Sequence, residues 1–204
     1  MNANAPRLDI FDRRGKTATD LRLKTLDIVR EKVLKELPVP VRLASGVLSS
    51  IFFEGKEGLC IPTDLAVACM AIVDTAEELG LEFDAIGGPA MGANHLAFGS
   101  AGASRKSWFV VQKDEEDLEP YERRIAGLDI DSRHKVLVVE DVISTGGSLL
   151  TAMRKIDDTG AQIVGVSTIV DRGNSAHDML AELEIPYFPL TTYADLGIEP
   201  VSVQ

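Results

Sequence analysis

The sequence predicts an α/β domain: a doubly wound, mainly parallel sheet with helices on both faces and a small hood or hairpin addition. Helix-like and strand-like segments alternate along most of the chain. The central strand-like segments, such as residues 136–139, are continuous aliphatic runs, which is typical of strands buried on both faces. With 204 residues the chain is most simply one domain, and we expect residues 1–17 to be a loosely held tail and residues 18–204 to form the domain.

The first half of the predicted domain contains two helices and three short strands. In order, these are a helix from Thr19 to about Leu37, strands at 41–46 and 49–55 that pair as the hairpin, a helix at 62–80 and a buried strand from Phe83 to Gly88. We expect Pro38 and Pro40 to end the first helix, because proline interrupts helical hydrogen bonding. Pro62 near the start and Gly80 at the end suit the second helix.

The second half begins with a glycine- and alanine-rich turn at residues 89–102, which could open a helix. The remaining predicted elements are a strand from Ser107 to Gln112, a long charged segment at 113–127, a strand from Lys135 to Val142, a helix from Ser148 to about Thr159, a strand at 161–172, a helix at 175–184 and a last strand at 185–190. Gly160 is expected to close the helix before it.

Composition and charge exclude several classes of protein. The net charge of -11 argues against a large nucleic-acid footprint, although a small anion site built from backbone N–H groups remains possible. Cys60 and Cys69 are too few for a disulfide scaffold, so we expect reduced thiols and a cytoplasmic location. The chain shows no signal-peptide pattern at its start and no apolar run long enough to cross a bilayer, so we expect no membrane partner.

The segment VLVVEDVISTGGS, residues 136–148, carries the clearest chemistry. Glu140 and Asp141 lie at the carboxyl end of a predicted strand, the edge where ligands bind in open parallel sheets. Adjacent carboxylates repel each other, so they suggest a partner such as a vicinal diol or a divalent cation. The small hydroxyl and glycine residues 144–148 lead into a helix N-terminus, which suits a phosphate dianion. Together they describe a ribose 5-phosphate site, whereas the alternative is a solubilising loop with a helix cap.

This segment resembles the ribose-phosphate-binding motif of type I phosphoribosyltransferases. The resemblance implies an enzyme that uses 5-phosphoribosyl 1-pyrophosphate (PRPP) with Mg²⁺, transfers the phosphoribosyl group to a nitrogenous base and releases pyrophosphate. It implies that Glu140 and Asp141 hold the ribose hydroxyls and contribute to catalysis, and that Mg²⁺ arrives with PRPP near these two acids, with no protein ligand to the metal assigned. The 5-phosphate would be bound by Ser144, Thr145, Gly146, Gly147 and Ser148.

Further segments, from about Pro40 to the C-terminus, resemble orotate phosphoribosyltransferases. They include ASGVLSSIFFEG, FDAIGGPAMGANHLA, STIVDRG and YADLG. The resemblance implies orotate as the base, a role in pyrimidine biosynthesis and a homodimer whose mobile loop reaches the neighbouring site. Pyrophosphate would be bound by Gly88, Pro89, Ala90, Met91, Gly92 and Lys113, with Lys113 also catalytic. The base would be bound by Phe52, Phe53 and Arg172.

Residues 112–124 depart from the family's pattern. The family has a cationic mobile loop, but here Gln112 stands where an Arg is expected, Lys113 is kept, no His is present, and acids occupy positions 114–117. Acids near a pyrophosphate reverse the sign of the local field, which is worth a few kcal/mol per unit charge. Arg123 and Arg124 could compensate. Two alternatives therefore stay open: a transferase for another base such as a purine, and a non-catalytic PRPP-binding regulator.

Three site predictions have structural alternatives. Phe52 and Phe53 alternate along a strand, so we expect one in the core and one at the site. Arg172 could pair with Asp171 or with surface acids instead of a base. His95 follows the predicted pyrophosphate loop and could be an acid, although a lone histidine is more often structural.

Overall fold

A computed structural model describes residues 10–42, 48–112, 124–173 and 175–198 of the chain. Its helices are α1 (Ala18–Ile28, continued by a π-helical turn at Val29–Val33), α2 (Gly55–Gly58), α3 (Pro62–Glu78), α4 (Asn94–Ser104), α5 (Gly147–Asp157), α6 (Ser175–Glu182) and α7 (Tyr193–Leu196). Its strands are β1 (Leu34–Arg42), β2 (Leu48–Phe53), β3 (Ala85–Pro89), β4 (Ser107–Val111), β5 (Ile125–Gly127), β6 (Lys135–Ile143), β7 (Gln162–Asp171) and β8 (Tyr187–Thr192).

The central feature is a six-stranded sheet with the strand order β5-β4-β3-β6-β7-β8. All neighbouring pairs are parallel except β4 and β5, which are antiparallel. Helices α1, α3 and α4 contribute to the apolar core on one face, with residues such as Leu21, Met70 and Leu96. Helices α5 and α6 contribute to the core on the other face, with Leu149 and Leu180. The predicted doubly wound, mainly parallel α/β fold is confirmed.

The hairpin addition consists of β1 and β2, which pair in antiparallel fashion beside the main sheet. The predicted end of the first helix is wrong, because the chain becomes extended at Leu34 and both Pro38 and Pro40 lie inside β1. The pairing register shifts between Glu36 and Val41, the stretch that holds both prolines. A proline is tolerated there because an irregular strand in a two-stranded sheet needs few of its N–H groups for pairing.

Two further features differ from the sequence expectations. Strand β5 is only three residues long and lies at the end of the long charged segment, in which no strand was predicted. Residues 10–17 of the expected tail contact the domain, since Phe11 packs against the core and the Nε of Arg13 lies 2.6 Å from Asp74. Thr17 then caps α1 through a reciprocal pair of hydrogen bonds with Asp20. No helix in the described residues has the length and apolar character required to span a bilayer.

The carboxyl ends of β3, β6 and β7 meet at one edge of the sheet. Parallel pairing places β6 between the other two strands, with Ile143 beside Asp171. The sequences that follow these ends, at 88–92, 140–148 and 171–173, therefore converge although they are far apart in the chain. The β1–β2 hairpin reaches the same edge, because the carbonyl of Ile51 accepts a hydrogen bond from Arg172.

Candidate functional site

The segment after β6 forms a concavity at the start of α5. A cavity of about 290 Å³ is lined by Glu140 and by residues 142–149. Gly146 has a φ of +80°, in the left-handed region that favours glycine, and its carbonyl accepts the first helical hydrogen bond from Leu150 at 2.8 Å. This turn directs the first N–H groups of α5 into the cavity, where an anion is stabilised by the positive end of the helix dipole.

The acidic pair at the end of β6 has two different environments. Glu140 is only 8% exposed. Burial, together with the neighbouring charge of Asp141, raises the pKa of Glu140 to about 8. Asp141 is half-buried, its Oδ1 accepts a hydrogen bond from the Val142 N–H at 2.8 Å, and its carbonyl accepts one from the Thr168 hydroxyl at 3.2 Å. The pair therefore offers one buried carboxyl that holds its proton and one carboxylate at the site surface.

Asp141 also joins the three parts of the site. A Cβ at Gly92, after β3, would lie 2.6 Å from its Oδ1, and a Cβ at Gly55, after the hairpin, would lie 3.2 Å from its Cβ. Glycine at these positions lets both backbones approach the carboxylate closely. The hairpin, the loop after β3 and the acidic pair thus form one site.

Stability should depend on pH through Glu140. A carboxyl whose pKa is higher in the folded protein than in the unfolded chain destabilises the fold when it ionises. The difference in the free energy of unfolding between Glu140→Gln and the wild type should begin to rise at about pH 4.3, the ordinary pKa of glutamate. This difference should level off above about pH 8, near the pKa of Glu140 in the folded protein. We expect a gain of a few kcal/mol at the plateau, at about 1.4 kcal/mol per pKa unit.

Urea unfolding of both proteins between pH 5 and pH 9 measures this gain. The exposed Glu182, changed to Gln, is the matched control and should follow the wild type at every pH. A gain that does not change with pH would show that Glu140 is not held protonated in the folded protein.

The loop at 88–92 is tightly packed where it leaves β3. A Cβ at Gly88 would lie 1.9 Å from the carbonyl oxygen of Val139, and the Ala90 N–H donates to the Val111 carbonyl at 2.8 Å. The Ala90–Met91 peptide bond is cis, and the Met91 side chain is exposed. Of these residues, Gly92 lies beside Asp141 and Gly88 packs on β6. Lys113 lies outside the described residues.

The third part of the site surrounds Arg172, immediately after β7. Phe53 is buried and its ring centroid lies 5.4 Å from the Arg172 guanidinium carbon. Phe52 is half-buried and, as the neighbouring residue on β2, points to the opposite face of the hairpin. The structure thus brings Phe53 and Arg172 together and leaves Phe52 apart from them. Within the described residues Arg172 forms no ion pair, and Asp171 instead accepts a hydrogen bond from the Gly173 N–H at 3.1 Å.

Two residues near the site were assigned no ligand contact from the sequence. His95 lies in the first turn of α4, where burial lowers its pKa and the charge of Asp141 acts in the opposite direction. Its Nε2 is buried without a hydrogen-bond partner among the described residues. The Tyr193 hydroxyl accepts a hydrogen bond from the Arg172 Nε at 2.8 Å. Its sequence signals are the YADLG segment, which resembles orotate phosphoribosyltransferases, and the Thr192–Asp195 spacing, which predicts a helix start; neither assigned Tyr193 a ligand contact.

Several known proteins are similar to this chain in sequence and fold. The model of the phosphoribosyl transferase domain matches residues 104–183. The orotate phosphoribosyltransferase of Pyrococcus furiosus is 32% identical over 154 residues, which cover 76% of this chain and 84% of that protein. The Streptomyces coelicolor enzyme of the same name is 31% identical over 187 residues, 89% of this chain and all of its own length. The crystal structure of Mycobacterium tuberculosis H37Rv orotate phosphoribosyltransferase in complex with PRPP has a TM-score of 0.71 and 26% identity, and the match covers 87% of this chain and 99% of that one.

Proposed function

Because this chain belongs to the orotate phosphoribosyltransferase family, we propose that it transfers the phosphoribosyl group of PRPP to orotate. The products would be orotidine 5′-monophosphate and pyrophosphate, a step of pyrimidine nucleotide biosynthesis. The observation that carries the proposal is the convergence at one sheet edge of the Glu140–Asp141 pair, the 144–148 turn and the 88–92 loop. A ribose, its 5-phosphate and a pyrophosphate need these three kinds of site side by side.

The residues would act mainly by position and charge. Glu140 and Asp141 hold the ribose hydroxyls, and residues 144–148 hold the 5-phosphate through hydroxyl and backbone N–H groups. The bond from ribose C1 to the pyrophosphate oxygen breaks with its electron pair on the pyrophosphate. A ring nitrogen of the base supplies the electron pair of the new bond to C1 and loses its proton to water. Positive charge that develops on the ribose is stabilised by the carboxylate of Asp141. Gly88 to Gly92, with Lys113, would bind the departing pyrophosphate.

We propose that Mg²⁺ enters this site with the substrate. The described residues contain no group of three or more His, Cys, Asp or Glu side chains placed to hold a metal ion. The carboxylate of Asp141 does suit a cation that is already coordinated by PRPP oxygens, because Mg²⁺ commonly binds substrate phosphates with few protein ligands. When bound, the ion supplies charge neutralisation for the departing pyrophosphate.

Orotate is the favoured base. Arg172 offers a cation for its carboxylate, and Phe53 offers an apolar ring beside that cation. Relatives named as orotate enzymes match most of the chain, so a purine-specific transferase and a non-catalytic regulator are not favoured. We assign Phe52 only a supporting position, because it lies on the other face of β2.

We also propose that the protein is a cytoplasmic homodimer. Phe98 on α4 and Trp108 on β4 are both partly exposed, and their rings meet edge to face with centroids 4.7 Å apart. These two rings form a small apolar patch on the surface. Such a patch favours burial against a second copy. Sedimentation of the purified protein tests this, and a monomer at high concentration would contradict it.

The first experiment measures pyrophosphate release from PRPP and Mg²⁺ with a panel of bases and a control without base. Release with orotate alone is the expected result. Release with a purine would contradict orotate as the base, and the roles of Phe53 and Arg172 in base binding would then have to be tested. PRPP binding without release for any base would contradict the proposed activity and would direct attention to the acids at 114–117.

A further inference from the structure

Arg172 is 5% exposed, an unusual degree of burial for a guanidinium that forms no ion pair among the described residues. Two neutral oxygens accept hydrogen bonds from this guanidinium instead. Its Nε donates to the Tyr193 hydroxyl at 2.8 Å, and its Nη2 donates to the Ile51 carbonyl at 3.1 Å. Because the guanidinium is planar and carries five N–H groups, two fixed bonds define its plane and leave other donors unused. Within the described part of the chain no acceptor is bonded to Nη1.

Two aromatic rings fix the same guanidinium from its sides. Its central carbon lies 5.4 Å from the Phe53 ring centroid and 5.8 Å from that of Tyr193. The two rings stack on each other with centroids 5.7 Å apart. Tyr193 therefore contacts Arg172 twice, through its hydroxyl and through its ring. These contacts restrict a side chain that otherwise has many rotamers.

Tyr193 is itself held by the short helix α7. Thr192 and Asp195 form a reciprocal capping box around it, and Gly197 ends the helix with a φ of +70°. Arg22 of α1 donates to the Asp195 carboxylate at 3.2 Å, and Arg30 donates to the Asp195 carbonyl at 2.6 Å. The segment TTYADLG thus ties the tyrosine to the first helix. The position of Tyr193 therefore does not depend on Arg172 alone.

We propose that Tyr193 is a positioning residue for base recognition, which holds Arg172 so that its unused Nη1 edge faces the carboxylate of the pyrimidine. This inference rests on the proposed function and deepens it. A carboxylate binds more tightly to a fixed, desolvated guanidinium than to a mobile one, because less conformational entropy is lost on binding. Tyr193 would then determine how strongly the site prefers a carboxylated base, without touching the ligand.

The test compares the affinities for orotidine 5′-monophosphate and uridine 5′-monophosphate, which differ only in the base carboxylate. The ratio of their dissociation constants cancels the ribose and phosphate contacts. For the wild type we expect a preference of about 10- to 100-fold for the carboxylated nucleotide, the range for a charge-assisted hydrogen bond. Tyr193→Phe, which removes one oxygen, should reduce this preference by about fivefold. Arg172→Gln should abolish it, and the KM for PRPP should change little in either variant.

Thr25→Val is the matched control. Thr25 is fully buried, and its hydroxyl donates only to the Leu21 carbonyl within α1, so this variant also loses one buried hydroxyl bond. It should lower the melting temperature yet keep the wild-type preference. If Tyr193→Phe lowers the melting temperature with an unchanged nucleotide preference, the tyrosine is only structural and the inference is wrong. If the wild type itself binds the two nucleotides equally well, the proposed orotate specificity is wrong, whatever the role of Tyr193.

Discussion

Asp141→Asn is expected to lower kcat/KM for PRPP by about 100-fold, which corresponds to roughly 3 kcal/mol of transition-state stabilisation. The carboxylate of Asp141 is half-buried between Gly55 and Gly92, where its charge is less screened than in water. In the proposed mechanism, removing its charge removes an anion that stabilises the positive ribose carbon and weakens a charge-assisted hydrogen bond to a ribose hydroxyl. Initial rates of pyrophosphate release at varied PRPP concentration measure the effect.

Asp131→Asn is the control for this substitution. Asp131 lies in the turn before β6, at the opposite end of that strand, and pairs with Arg133 at 2.7 Å on the surface. The control therefore removes one carboxylate at a distance from the site and should leave kcat/KM within a factor of about two, as expected for a surface ion pair. Wild-type kinetics in Asp141→Asn would remove the acidic pair from the proposed mechanism.

Gly88→Ala is expected to destabilise the protein by about 3 kcal/mol or more, or to prevent folding, as overpacking against backbone does. The added Cβ would lie 1.9 Å from the Val139 carbonyl oxygen and 2.9 Å from the Ala93 Cβ. Neither neighbour can rotate away, because the first is backbone in the central strand and the second is a single carbon. Urea unfolding followed by circular dichroism gives the change in stability.

Gly147→Ala separates this clash from a general effect of adding a methyl group. Gly147 is the first residue of α5, and its nearest neighbour for a new Cβ is the Thr145 hydroxyl oxygen at 3.9 Å. Alanine should match or raise the stability there, since it is favoured over glycine in helices. Equal unfolding midpoints for Gly88→Ala and the wild type would mean that the loop after β3 can move away from β6.

The parts of the fold that could be predicted are those with a local signal. The aliphatic run 136–139 predicts a buried strand, and the acids and glycines after it predict the ligand edge, because both patterns occur within one short segment. The end of α1 was missed since the periodicity continues past Val33, whereas the hairpin pairing of Leu34 with Phe53 determines where the helix stops. Strand β5 was missed because three residues are too few to show a strand periodicity, and they directly follow a highly charged stretch.

The site shows the same division between local and long-range information. Glycine and hydroxyl residues at 144–148 predict their own phosphate-binding geometry, since the helix that follows supplies the N–H groups. The environment of Arg172 was not predictable, because it depends on Tyr193 and Ile51, which are 21 and 121 residues away in the chain. The burial of Glu140 could not be predicted either, since it follows from the position of β6 at the centre of the sheet.

The antiparallel pairing of β4 with β5 has a consequence for how this enzyme family can change. The N–H of Gln112 donates to the carbonyl of Arg124 at 2.8 Å, so the backbone on either side of residues 113–123 is already joined by the sheet. The entropy cost of closing a chain segment between fixed ends changes slowly with the length of that segment. Changes of sequence within residues 113–123 should therefore have little effect on the folding of the sheet, and exchanging the whole stretch for that of a relative is a practical way to transplant a charge pattern between family members.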